Sequence, residues 1–453
     1  MFAMISPVTP PVGPVSSWLA RAAAAYPGRI AIEFPGPSAP LNYQSLDLES
    51  RAAMTSLRPA KDQAVELDGR DPKGFAINLH AALRAGAVAM PLDPRLSTME
   101  LEYRRSLPFA PPLGAAILLF TSGTTAKPKP VYLTSSNWEA NAIGSALALG
   151  LDPQERWLCT MPLAHVGGLS ILLRSTLYAT TVVLHDHFNS EAVLQELSDP
   201  DRKITLVSLV PTMLARLLDA GLHDPPTLRW VLLGGGPIPP ALLDRAAAAG
   251  VPVAPTYGMT ETCSQFATLG LPLYGNQLRF EPVDGGSDGP VSGTGVSDGE
   301  LLVSGPTIAP LSLAEDGWLR TGDLGHLDQA GRLVITGRRS EMIISGGENI
   351  SPDEVEAVLT EHPDVAEAGV YGMPHPEWGE AVAAQVVLRA AAAPTPNTCA
   401  ELQAFVRARL APFKVPKEIT FTEVLPRTTS GKLLRRELQS GAAKISDTES
   451  SSR

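Results

Sequence analysis

Between two apolar runs, residues 121–129 read TSGTTAKPK. Thr121, Ser122, Thr124 and Thr125 carry hydroxyl donors, Gly123 lets backbone approach a ligand closely, and Lys127 and Lys129 supply charge, which is the donor set of a phosphate cradle. It is not a Walker A loop, because no Gly-Lys pair follows Gly123 at that spacing. Taken alone, the stretch is equally a Ser/Gly/Thr surface turn. Other chemistry-bearing segments share this ambiguity. GGGP at 234–237 reads as a strand-to-helix turn opened by proline, RTGD at 320–323 as a hairpin turn, and YGMTET at 257–262 as a strand running into a capped helix. Gly431-Lys432 beside Arg435 and Arg436 reads as a basic helix start. Arg174 stands in an apolar run, where a guanidinium is costly unless paired, whether by a ligand or by an internal carboxylate.

These residues need a large scaffold to bring them together. The 453 residues exceed one ordinary core, so at least two domains are expected. With 44% hydrophobic and 18% charged residues the chain is globular, and a net charge of -11 argues against nucleic acid or an anionic membrane as partner. An anionic ligand must therefore meet local cations. Three scattered cysteines, Cys159, Cys263 and Cys399, show no metal or disulfide spacing and fit a reducing cytoplasm. The N-terminus lacks a signal-peptide pattern, and the most apolar later run, 161–184, contains His165 and Arg174, so no membrane span is expected.

Ser16 and Ser17 are placed to cap a helix over WLARAAAAY, with the strand RIAIEF after it. A helix over 74–86 precedes the strand VAMPLD. From 157 onward apolar strands alternate with helices near 167–178 and 190–197, then over PTMLARLLDAG and ALLDRAAAAG. The pattern predicts an α/β fold: a large N-terminal domain of mostly parallel sheets covered by helices, with a β-rich subregion after the turn-former run 284–299, and a small mobile α+β C-terminal domain. The expected boundaries are 1–337 and 341–440, with a disordered tail at 441–453, and the last domain contains a helix capped near Ser351-Pro352.

Seven segments in one order, TSGTTAKPK, PLAHVGGL (162–169), GGGP, YGMTET, RTGD, GRRSEMIISGGENISP (337–352) and PRTTSGKLLRR (426–436), resemble the acyl-adenylate-forming superfamily of AMP-binding acyl-CoA synthetases. The resemblance covers about residues 40 to 440. It implies a two-step reaction in which a carboxylate attacks the α-phosphate of ATP to give acyl-AMP and pyrophosphate, and a thiol then displaces AMP. Two anions must meet at one phosphorus, so the site needs positioned donors and Mg²⁺. By matching position, Glu261 holds the metal and Thr260 donates to phosphate. Thr121, Ser122, Gly123, Thr124, Thr125 and Lys129 cradle the leaving pyrophosphate. Gly234, Gly235 and Gly236 wall the base, Tyr257 stacks on it, Asp323 takes the ribose, and Arg338 lies near the nucleotide. Lys432 reaches in from the C-terminal domain for adenylation, residues 337–340 act as hinge, and Gly346 and Gly347 pass near the CoA thiol.

Within the superfamily the chain resembles the o-succinylbenzoate:CoA ligases of menaquinone or phylloquinone biosynthesis, through PLAHVGGLSILLRS (162–175) and YGMTETCSQ (257–265). That substrate is an aromatic dicarboxylate, so its second carboxylate needs a partner: Arg174 is the candidate, with His165 lining the acyl tunnel and Ser264 adding a hydrogen bond. Ligases for another aryl or medium-chain acid, and a non-catalytic nucleotide-binding relative, remain as alternatives. The expected partners are a small carboxylic acid, ATP and CoA, with homo-oligomerisation left open. Ala126 and Pro130 stand where the family pattern has glycine, and Ser340 where many relatives have Asp or Lys. If position 126 requires positive φ, alanine costs about 1 kcal/mol.

Overall fold

Strands that are buried at every position need cover on both faces. Thr181–Leu184 and Leu206–Leu209 are of this kind, and they lie inside a nine-stranded sheet. The computed structural model describes residues 15–36, 39–57, 64–122, 128–282, 299–345, 348–375, 378–389, 394–395, 397–428, 431–435 and 437–438, with backbone alone for Ser122, Glu348 and Asn349. Across the large sheet the strands run Leu271–Pro272, Ser264–Thr268, Val253–Met259, Trp230–Leu233, Leu206–Leu209, Arg156–Cys159, Thr181–Leu184, Ile30–Glu33 and Leu41–Asn42. The six from Val253–Met259 to Ile30–Glu33 are parallel, and antiparallel pairs close both edges.

A second sheet joins Ala64–Asp68, Val88–Leu92, Ala115–Ser122 and Pro128–Thr134, the last two as an antiparallel hairpin. Antiparallel Gln277–Pro282, Gly299–Ser304, Leu319–Leu327 and Leu333–Arg338 form a third, the β-rich subregion expected from sequence. The C-terminal domain holds the fourth, Glu348–Ile350, Ile343–Ser345, Gly379–Leu388 and Val365–His375, with Glu418–Phe421 added in parallel. Its core is its own: Ile343, Val355, Leu359, Val370, Val386, Leu402 and Val406 pack together.

The helices arise where the residue spacing places them. Pro72–Ala85 opens with Asp71 accepting from the Gly74 N–H and with proline in its first turn, and Gly86 closes it at φ 72°. Val166–Tyr178, Ser190–Ser198, Pro211–Asp219 and Pro240–Ala248 follow the expected alternation. Four local expectations are corrected. Ser17 takes the N-cap position of Trp18–Ala25 but makes no side-chain capping hydrogen bond, because Val15–Ser17 is already a 3₁₀ turn and Ser17 is itself in the helical region. Ser351 does occupy the N-cap of Pro352–Thr360, but its hydroxyl donates to the Thr336 carbonyl at 2.7 Å, tying that helix to the strand Leu333–Arg338. Beyond Met259 the chain makes a 3₁₀ turn, Thr260–Thr262, rather than a longer helix. Lys432 begins no helix: the Thr428 N–H donates to the Lys432 carbonyl at 2.7 Å and Arg427 bridges to Leu433, which makes a tight turn around Gly431 at φ 85°. The tail and residues 283–298 lie outside the described residues.

Candidate functional site

Register brings the first two site residues together. Asp323 on Leu319–Leu327 faces Arg338 on Leu333–Arg338, and Arg338 Nε donates to Asp323 Oδ1 at 2.7 Å. From the end of Val253–Met259, Tyr257 Oη donates to Asp323 Oδ2, also at 2.7 Å. The carboxylate is 5% exposed, so two charge-assisted hydrogen bonds compensate its burial. Burial, reinforced by the Asp323 charge, raises the Tyr257 phenol well above its ordinary range, so it stays a donor. Burial works against the Arg338 charge, but Asp323 and Glu341 outweigh it and raise the guanidinium pKa.

Lys432 reaches this cluster from the C-terminal domain. Its ammonium is half-buried, with Nζ 3.6 Å from Glu341 Oε1. Burial and the nearby Arg338 lower its pKa, against the pull of Glu341 and Asp323. The turn that carries it is seated on the large domain: a Cβ on Gly431 would meet Val210 Cγ2 at 3.5 Å and Thr212 Oγ1 at 3.9 Å.

The glycine wall lies beside the same strands. Gly234 has no room for a Cβ, which would sit 2.7 Å from the Thr256 carbonyl oxygen, and Gly235 turns at φ 80°. Gly236 follows, where a Cβ would only touch Pro211 Cδ at 3.9 Å. At the other edge, a Cβ on Gly258 would fall 1.7 Å from the Ser264 carbonyl oxygen. Only glycine allows Val253–Met259 to pair there with Ser264–Thr268. The turn between them holds Thr260 and Glu261 and then returns through Cys263 at φ 57° and Ser264 at φ 84°, a left-handed pair unusual for residues with side chains. The Glu261 carbonyl accepts from the Ala309 N–H at 2.8 Å, fixing the turn. Among the described residues the Glu261 carboxylate has no hydrogen bond or ion pair, and no cluster of three metal-ligating side chains occurs. A single free carboxylate suits Mg²⁺, which takes its remaining ligands from phosphate and water.

In the loop hairpin, Thr121 pairs with Lys129 and Phe120 with Pro130. Pro128–Thr134 is an edge strand, where a residue without an N–H is tolerated, so Pro130 fits its place. Thr121 is part-buried and Lys129 exposed. Gly123, Thr124, Thr125, Ala126 and Lys127, together with Gly346 and Gly347, lie outside the described residues, as does the Ser122 side chain.

On the acyl side, His165 is the N-cap residue of Val166–Tyr178, with Nε2 3.5 Å from Asp93 Oδ2. Asp93 was not singled out from the sequence. Burial would raise its pKa, yet hydrogen bonds from His165 and Arg95 bring it well below the usual carboxylate range. Its signal was faint: an Asp closing the apolar strand VAMPL, 72 residues before its histidine. Arg174, in the third turn of the same helix, is 1% exposed. Asn141 Oδ1 accepts from its Nε at 3.1 Å, the Trp157 ring lies 5.8 Å from its Cζ, and Nη1 has no partner among the described residues. No carboxylate pairs with it there, so the structural ion pair left open by the sequence is absent among the described residues. Burial lowers its pKa to about 10, which leaves it charged at neutral pH. Ser170, one turn before Arg174 on the same helix face, accepts from Ser264 Oγ at 3.3 Å and was also missed.

With this geometry in place, comparison with known proteins is informative. The profile of the AMP-binding enzymes matches residues 108–311, and that of the AMP-binding enzyme C-terminal domain matches 354–432. The 2-succinylbenzoate–CoA ligase of Bacillus licheniformis is 44% identical over 345 residues, 72% of this chain and 70% of that protein. The solved o-succinylbenzoate CoA synthetase of Bacillus subtilis, in complex with its acyl-adenylate intermediate, superimposes with TM-score 0.82 at 35% identity, covering 94% of this chain and 98% of that one. Its complex with ATP and magnesium ion gives 0.82 at 34% identity, covering 94% and 99%. A double mutant of that enzyme bound to a product analogue, OSB-NCoA, gives only 0.65 at 35% identity, covering 94% and 98%.

Proposed function

The chain belongs to the family of AMP-binding enzymes, and on that premise we propose that it is an ATP-dependent 2-succinylbenzoate–CoA ligase working through acyl-AMP. The observation that carries this reading is that the turn bearing Lys432 packs against Val210 and Thr212 of the large domain, which puts its ammonium within electrostatic reach of Asp323 and Arg338 in the Tyr257–Asp323–Arg338 cluster. A nucleotide-binding module has no use for a lysine delivered across a domain junction.

In the first half-reaction, a substrate carboxylate oxygen attacks the α-phosphorus of ATP and the bond to pyrophosphate breaks. Asp323 takes the ribose hydroxyls, held in place by Tyr257 and Arg338, while the glycines 234–236 bring backbone close to the base. Lys432 neutralises charge on the carboxylate and α-phosphate as the new bond forms. Glu261 would hold Mg²⁺, which supplies charge stabilisation at the phosphates; Thr260 donates beside it, and Thr121 to Thr125 with Lys129 steady the pyrophosphate. In the second half-reaction the CoA thiol attacks the acyl carbon, AMP leaves, and the thiol proton is released. Gly346 and Gly347 are assigned to the path of that thiol. The small domain, beyond a hinge at 337–340, would turn between the two steps; the fit to the adenylate complex rather than to the product complex supports assigning the present arrangement to the first.

For the acid itself, His165 is assigned to the tunnel and Ser264 to a hydrogen bond. Arg174 answers the second carboxylate, a role supported by its spare Nη1 and its lack of an acidic partner among the described residues, where Asn141 is its hydrogen-bond partner. A cytoplasmic setting is proposed; among the described residues no helix is long and apolar enough to cross a membrane. The test is pyrophosphate release over a panel of carboxylic acids. o-Succinylbenzoate should give the highest kcat/KM, and a simple benzoate or a medium-chain acid outrunning it would refute the substrate assignment.

A further inference from the structure

Lys432 does not stand alone on its domain. Glu341, in the one-turn helix Arg339–Glu341, faces it at 3.6 Å. The other oxygen of the same carboxylate accepts from Arg435 Nη1. Arg435 is fixed elsewhere too: its Nη2 donates to Asp353 and, at 2.9 Å, to Glu356. Glu341 is thus clamped by one cation and left facing a second at a distance longer than a hydrogen bond. That is enough for a charge to be felt, and loose enough for the ammonium to be given up to a better partner.

We propose that Glu341 is a positioning residue for the adenylation step, holding Lys432 charged and aimed at the Asp323–Arg338 cluster until substrate carboxylate and phosphate replace it. This rests on the reading of Lys432 given above. The charges around the ammonium explain the need. Burial disfavours it and Arg338 and Arg435 repel it, so its pKa falls; Glu341, at 3.6 Å, is the nearest carboxylate opposing them, with Asp323 and the Arg435-bound Asp353 on the same side. Asp323 is already engaged by Tyr257 and Arg338. Glu341 also lies on the C-terminal side of the proposed hinge, with Lys432, Asp353, Glu356 and Arg435. When the small domain turns, Asp323 stays behind with the large domain, whereas Glu341 travels with its lysine and keeps it ready for the next cycle.

The sign of the test follows from these charges. Removing a neighbouring carboxylate lowers the pKa of an ammonium, so the charged form disappears at lower pH. Glu341→Gln is isosteric, and Arg435 keeps Asp353 and Glu356, so the lid retains its clamp. Glu356, whose pKa burial raises to about 8, is unchanged in the wild type and in both variants. In the full chain with o-succinylbenzoate and ATP, the alkaline limb of pyrophosphate release should move down by about one pH unit in Glu341→Gln. It should move by less in Glu341→Asp, which keeps the charge at longer reach. Thioester formation from supplied acyl-AMP and CoA should keep its wild-type rate in both. Unmoved limbs in both variants, or equal slowing of both half-reactions, would overturn the proposal. Failure of the wild-type chain to release pyrophosphate with any acid would instead overturn the parent reading.

Discussion

A buried cation that lacks an anion asks for one. Arg174 is sealed among Asn141 and Trp157 with a donor to spare, and desolvation of a charge is repaid only by close partners. If the second carboxylate of the substrate is that partner, Arg174→Leu raises KM for o-succinylbenzoate at least tenfold, by an order-of-magnitude estimate for one lost charged hydrogen bond, while a benzoate lacking that carboxylate is affected far less. Steady-state kinetics on the two acids decides it; equal losses would make Arg174 a structural residue. The residue types at the site were legible: Asp323, Tyr257, Arg338 and Lys432 were each named from short motifs. Their partners were not. Asp93 and Ser170 act through contacts with His165 and Ser264 that span 72 and 94 residues, and no local periodicity reports on a contact of that range.

At the scale of elements, the alternation of apolar runs and amphipathic stretches placed the six parallel strands of the large sheet and the helices between them, because both are local patterns, but not the antiparallel edge strands Leu41–Asn42, Ser264–Thr268 and Leu271–Pro272 or the helices Tyr43–Leu57 and Ser135–Leu149. It did not separate the four sheets, since pairing partners are chosen by packing between distant segments. Ser351 takes the N-cap position that the sequence assigned it, but its hydroxyl bonds to what the tertiary fold brings near, the Thr336 carbonyl 15 residues away. One position concentrates the cost of building the turn that carries Thr260 and Glu261. Gly258→Ala would drive a Cβ into the Ser264 carbonyl, and since both atoms belong to paired backbone, the strand pair that presents Thr260 and Glu261 must separate. A loss of about 3 kcal/mol or more is expected, read as a drop in melting temperature together with loss of pyrophosphate release. Gly28→Ala, with nothing within 4 Å, should leave both unchanged. A Gly258→Ala protein of wild-type stability would show that this strand pairing is softer than the geometry implies.

At the scale of the whole molecule, a large domain carries the nucleotide cluster and a small one, with its own core, delivers a lysine to it. If the small domain turns between steps as proposed, the two half-reactions have different requirements, because Lys432 would serve only the seating seen here. The most direct measurement is to follow the two half-reactions separately in Lys432→Ala. Pyrophosphate release from ATP and o-succinylbenzoate should fall by about a hundredfold or more, the range of a lost charge-stabilising group, while conversion of supplied acyl-AMP and CoA to the thioester proceeds at the wild-type rate. Equal loss of both steps, or adenylation that survives the substitution, would contradict the account.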